Sequence, residues 1–258
     1  MTPLDARHTR GSPWPSIDER SGAMTREPVI SGGGRSEQWV YLWHWPIRAM
    51  HWAAAVSIVV LAVTGFWIGR PYFLTGGASQ TFALQYVRLA HFAAAGVLVA
   101  TAIVRIYWLF AGDRFERLPA LFPVRARDWA NLWKMVKFYL LIHPERAPRY
   151  LGHNPLQQLS YTFTYFMAGL LVVTGFIMFG EANPQGVFMY TFGRLAVYVG
   201  GFQWVRVIHH VAAWYFPLFI IVHVYLTIRA DLLERSGAIS SIFSGGRFVA
   251  TDEHYADE

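Results

Sequence analysis

The sequence predicts an all-α integral membrane four-helix bundle, with a cytoplasmic amphipathic helix between its second and third spans. Three observations carry this. Of 258 residues, 54% are hydrophobic and 15% charged, against about 45–50% and 25% in soluble domains. The apolar residues gather into four runs, near 46–69, 84–110, 156–180 and 203–230, each close to the roughly 20 residues that cross about 30 Å of hydrocarbon. Between the second and third runs, "DWANLWKMVKFYLL" alternates apolar and polar residues with a helical period.

Residues 1–38 come first, rich in Gly, Pro, Ser and charge and without an apolar core. They read as a disordered tail, neither signal peptide nor span, with Met24 as an alternative start to Met1. Residues 39–230 form the bundle and 231–258 a cytoplasmic C-terminal tail. The first span opens with Pro46 after "WHW" and the third with Pro155 after Asn154, where a helix tolerates proline best. These two spans share an echo, "LAVTGFWIG" (61–69) and "LVVTGFIMFG" (171–180). It is either an internal duplication, in which Gly65 and Gly175 permit close approach of a backbone or flat cofactor, or the ordinary frequency of Thr-Gly in membrane helices.

In the loop helix Asp128 is placed to cap, and Trp129, Leu132, Trp133, Val136 and Tyr139 form an apolar stripe that leaves Lys134 and Lys137 aside. This describes either an interfacial helix on the inner leaflet or a helix packed beneath the bundle. Charge sets the orientation. The N-terminal segment, the C-terminal segment and the 111–156 loop hold most of the Lys and Arg, whereas the opposite connections and adjoining helix ends hold Arg70, Arg88, Arg194 and Arg206. The positive-inside rule then puts both termini and the long loop in the cytoplasm. The net charge of +6 is thereby explained by membrane topology, without nucleic acid.

There is no cysteine, which excludes disulfides, iron–sulfur clusters, thiolate catalysis and covalent haem attachment. Of ten histidines, His8, His143, His153 and His254 fall in tails or loop, and His44 falls in the headgroup belt. His51, His91, His209, His210 and His223 lie at membrane depth, where ionisable groups are costly and mark function. His209 and His223 are 14 residues apart, about 40° in azimuth and 21 Å along a helix. They share a face, while His210 lies about 140° from His223. Pro217 between them is expected to kink the helix.

Topology supplies the partners: His91 for His209 toward the outer surface, His51 for His223 toward the cytoplasm. Two facing imidazoles with no carboxylate or thiolate suit an iron whose other ligands come from a porphyrin, rather than zinc. "RAMH", "RLAH" and "RVIH" place Arg48, Arg88 and Arg206 one turn before His51, His91 and His209, as partners for haem propionates or as snorkelling residues.

Beyond this, "PIRAMHW…LAVTG", "YVRLAHFAAAG…RIYWLFAGDRF", "LGHNPLQQ" and "HHVAAWYFPLFIIVHVY" resemble the b-type cytochrome subunits of membrane-bound nickel–iron hydrogenases over most of residues 39–250. The resemblance implies haem b ligated by His51, His91, His209 and His223, the first His of the doublet being the ligand. It implies an outer haem, an inner haem that some relatives hold less stably, and a quinone acceptor. It implies periplasmic hydrogenase small and large subunits as partners, in the bacterial cytoplasmic membrane. The chain itself would carry electrons in the respiratory chain and not act on hydrogen. His44 stands where the family has the glutamate of a Glu-Ala-Pro stretch. Alternatives are a di-haem subunit of another oxidoreductase of the formate dehydrogenase type, a stand-alone superoxide-oxidising cytochrome b, and a non-redox anchor or metal transporter.

Overall fold

A computed structural model describes residues 16–17, 24–25, 29–30, 36–70, 78–140, 148–234, 237–250 and 255–256. The expected tail 1–38 lies mostly outside the described residues, as do His8, His143 and His254.

Four helical spans form the molecule: α1 (Trp45–Gly69), α2 (Ala78–Ala111), α4 (Pro155–Glu181), and a fourth divided into α6 (Phe202–Ala213) and α7 (Tyr215–Glu234). All four are long and apolar enough to cross a membrane. Their outward faces expose Val56, Val63, Ile103 and Phe166 at 60% or more, a surface that lipid covers and water would not tolerate. The spans bury small and hydroxylated residues instead, including Ser57, Thr64 and Thr174, which lets the helices approach closely.

Each boundary has a local cause. α1 follows extended His44, with proline in its first turn. α4 begins with a reciprocal cap, in which the Gln157 N–H donates to Asn154 Oδ1 and the Asn154 N–H to Gln157 Oε1, both at 3.0 Å. The fourth span breaks at Trp214, three residues before Pro217. Proline has no N–H to offer the Ala213 carbonyl and its ring crowds that carbonyl, and Trp214 turns its own N–H to Val211 at 3.3 Å.

The loop side is more ordered than its composition suggests. α3 (Ala126–Tyr139) starts one turn earlier than expected, after Arg125. Asp128 caps by reaching back to the Arg125 N–H at 3.2 Å. Its buried face is Asp128, Met135 and Phe138, because Arg229 of α7 lies over the rings of Phe138 and Tyr139. Trp129 and Trp133 therefore face outward, with the Lys137 ammonium 5.5 Å over the Trp133 ring. Exposed Trp beside Lys is the chemistry of a headgroup interface.

Residues on both sides of the bundle sequence meet here. β4 (Ser36–Tyr41) pairs antiparallel with β5 (Gly246–Ala250), and the short β1 (Ser16–Ile17), β2 (Met24–Thr25) and β3 (Val29–Ile30) extend the sheet. The expected boundary at residue 38 thus falls inside a strand. α8 (Ala238–Ser244) precedes β5. Gly245, at φ 94°, ends α8 and lets its carbonyl accept from both the Leu42 and Trp43 N–H groups, at 2.8 and 2.9 Å. Val40, Leu42, Phe115, Leu151 and Tyr255 pack into one core beneath the sheet. On the opposite side, α5 (Val187–Thr191) and a 3₁₀ turn (Gly193–Val199) connect α4 to α6, seated on Ile177 and Val205.

Candidate functional site

The loop-side imidazoles come together. His51 of α1 and His223 of α7 have ring centroids 6.5 Å apart, with planes at 49°. Metal–nitrogen bonds of about 2.0–2.1 Å plus the half-width of each ring require about 6 Å between imidazoles on opposite sides of one ion. The residues present therefore fit a bis-imidazole iron. His51 Nδ1 is buried and has no hydrogen-bond partner. Among the described residues no group of three or more His, Cys, Asp or Glu is placed to hold a metal ion.

His91 and His209 sit nearer the other surface, each against a neighbouring helix. His91 Nδ1 lies 2.9 Å from Thr64 Oγ1 of α1, and His209 Nδ1 lies 2.8 Å from Thr174 Oγ1 of α4. A Cβ added at Gly65 would stand 3.2 Å from His91 Cε1, and one at Gly175 3.6 Å from His209 Cε1. The echo noticed in the sequence is therefore a contact surface: each Thr-Gly pair receives one histidine.

The correspondence between the two halves goes further. Thr64 and Thr174 each lie 20 residues beyond the N-cap of their helix, His44 or Asn154. Arg88 and His91 in α2 match Arg206 and His209 in α6. Gly69 of α1 abuts His210 of α6, and in the matching place Phe179 of α4 meets Phe92 of α2 at 5.4 Å. The inner pair is where the halves diverge. His51 corresponds to Tyr161, and His223 to Arg105. Tyr161 keeps its place, edge-on to His223 at 6.2 Å.

His210 is exposed and its Nδ1–H donates to the Arg206 carbonyl at 2.7 Å, an interaction along its own helix. The arginines differ among themselves. Arg48 donates through Nη1 to the Phe243 carbonyl and keeps a buried Nε without a partner. Arg88 is exposed one turn before His91. Arg206 is paired with Glu181 at 2.6 Å, both side chains more than a third exposed.

Two buried groups carry no signal in the sequence. Glu116, 1% exposed, accepts from the His44 N–H and Trp108 Nε1, both at 2.7 Å. His153, expected to be an ordinary loop residue, stacks on Trp43 at 4.8 Å and meets the edge of Tyr161 at 5.0 Å. Burial, with the nearby charges of Arg105 and Arg247, pushes its pKa down to about 4.

The sign of that shift gives a test. The unfolded chain takes up a proton at His153 near pH 6.5 and the folded chain does not, so acidification between pH 6.5 and 4 favours unfolding. At about 1.4 kcal/mol per unit this amounts to at most about 3 kcal/mol. Thermal unfolding in detergent at pH 7 and pH 4.5 is expected to show His153→Phe losing less stability on acidification than the wild type; equal losses would contradict the assignment.

Comparison with known proteins follows the same geometry. A family model described as prokaryotic cytochrome b561 matches residues 42–245, which contain all four spans and His51, His91, His209 and His223. A probable Ni/Fe-hydrogenase B-type cytochrome subunit of Azotobacter chroococcum mcd 1 is 39% identical over 224 residues, 84% of this chain and 92% of that protein. The protein of the same description in Cupriavidus necator is 38% identical over 234 residues, 89% and 96% of the two chains. A probable Ni/Fe-hydrogenase 1 B-type cytochrome subunit of Escherichia coli (strain K12) is 31% identical over 216 residues, 80% and 90%.

Proposed function

The chain belongs to the prokaryotic cytochrome b561 family, and from this premise we propose that it is the membrane cytochrome of a nickel–iron hydrogenase, passing electrons from hydrogen oxidation to quinone. The observation that carries the haem reading is the His51–His223 pair at 6.5 Å, two imidazoles facing each other inside an apolar bundle. Haem b, held by such residues, would supply one-electron transfer.

The chain's own residues do the rest. His91 and His209 would hold the outer haem, and His51 and His223 the inner one. Arg48, whose buried Nε has no partner, and Arg88 stand where propionates would need cations. Arg206 is already paired with Glu181 and would have to share its guanidinium with a propionate. The apolar spans keep water away and the imidazoles neutral. Both termini and α3 lie on the cytoplasmic side of the bacterial inner membrane, as the basic loop requires. The hydrogenase small and large subunits dock from the periplasm, a partnership supported by the descriptions of the relatives.

An absorption spectrum of the purified chain tests this directly. A dithionite-reduced b-haem band is expected, together with co-purification of hydrogenase subunits from a mild detergent extract. A folded but colourless protein would end the haem reading. A coloured protein bound to a different oxidoreductase would end only the hydrogenase part.

A further inference from the structure

We propose that Thr64 and Thr174 are positioning residues for the outer haem, fixing His91 and His209 in the tautomer whose Nε2 is the metal ligand and lowering the midpoint potential of that haem. The inference rests on the haem reading above and adds to it two residues outside the ligand set.

A threonine hydroxyl carries one proton. Thr64 Oγ1 donates its proton to the Val60 carbonyl at 2.6 Å, the ordinary back-bond of a helical threonine. Its contact with His91 Nδ1 at 2.9 Å must then run the other way, with the imidazole donating. Thr174 repeats the arrangement, donating to the Leu170 carbonyl at 2.7 Å and facing His209 Nδ1 at 2.8 Å. Both rings therefore carry their proton on Nδ1, and the deprotonated Nε2 is left for iron.

The glycine that follows each threonine completes the seat. At Gly65 a methyl group would press on His91 Cε1 at 3.2 Å, and at Gly175 it would reach ordinary contact with His209 at 3.6 Å. Position is thus set by hydroxyl and glycine together, once in each half of the bundle. At the inner site His51 has no such partner, its Nδ1 being buried and unpaired.

An acceptor on Nδ1–H makes Nε2 a stronger donor and fixes ring orientation, and loss of such a partner typically costs about tenfold or more in metal affinity. A stronger donor favours ferric over ferrous iron, which lowers the potential.

Potentiometric titration of the purified full-length chain, with low-temperature electron paramagnetic resonance of the ferric form, tests this in Thr64→Val and Thr174→Val. The redox transition that His91→Ala abolishes is expected to move to higher potential, with the other transition unmoved. Thr64→Ser and Thr174→Ser, which keep the hydroxyl, are expected to restore it. If a valine variant loses the outer haem outright, restoration by serine supports positioning and failure of serine overturns it. An unmoved transition in both valine variants also overturns it. A full haem spectrum in His91→Ala would instead defeat the haem reading itself.

Discussion

Replacing His91 or His209 with alanine is expected to remove the outer haem and take hydrogen-dependent quinone reduction in membranes to background, while His210→Ala keeps the full haem content. The three residues differ in what surrounds them, not in type. His91 and His209 each lean on a threonine of a neighbouring helix, at 2.9 and 2.8 Å, which leaves Nε2 without its proton. His210 spends Nδ1 on the Arg206 carbonyl of its own helix and is exposed. His91 and His209 would each supply one of the two imidazoles that hold the haem, so loss of either would leave the group weakly retained. The reduced-minus-oxidised spectrum of each purified variant reads the outcome. Loss of haem in His210→Ala with retention in His209→Ala would reverse the assignment.

The parts of this site that were legible in the sequence are those fixed by helix geometry. A separation of 14 residues keeps His209 and His223 on one face even across the break at Trp214, because the ambiguity a kink introduces is smaller than the separation between His209 and His210 in azimuth. The spans were legible because lipid imposes a length and a composition. Other parts depend on contacts between distant segments. The Thr-Gly echo could be seen but not interpreted, since its meaning lies in which histidine each copy meets across a helix interface. β4 and β5 pair across some two hundred residues and have no periodic signal long enough to stand out from loop. Arg229 reads as one more positive charge at the cytoplasmic end, yet it is 7% exposed and lies over two rings of α3. His153 reads in the sequence as an ordinary loop residue, because burial in a loop is decided by what folds over it, here Trp43 and Tyr161.

Glu116→Ala is expected to destabilise the loop side by about 3 kcal/mol and to loosen the inner haem before the outer one. The carboxylate is 1% exposed and is enclosed by donors. Oε1 accepts from the His44 N–H at 2.7 Å, with His44 Nδ1 at 3.3 Å. Oε2 accepts from Trp108 Nε1 at 2.7 Å and the Asp113 N–H at 3.3 Å. Truncation leaves these donors buried without an acceptor, at about 1–3 kcal/mol for each that water does not reach. Glu116→Gln keeps one acceptor oxygen but turns the other into a donor facing donors, so it is expected to recover only part of the loss. The position of the damage follows from the chain: Glu116 ties the end of α2 to the residue that caps α1, and His51 lies two turns beyond that cap. His91 and His209 are held by Thr64 and Thr174, well away from this joint. Thermal unfolding in detergent and the haem content of each variant decide the matter; a Glu116→Ala protein with unchanged unfolding temperature and both haems would show that the joint does not set the register of α1.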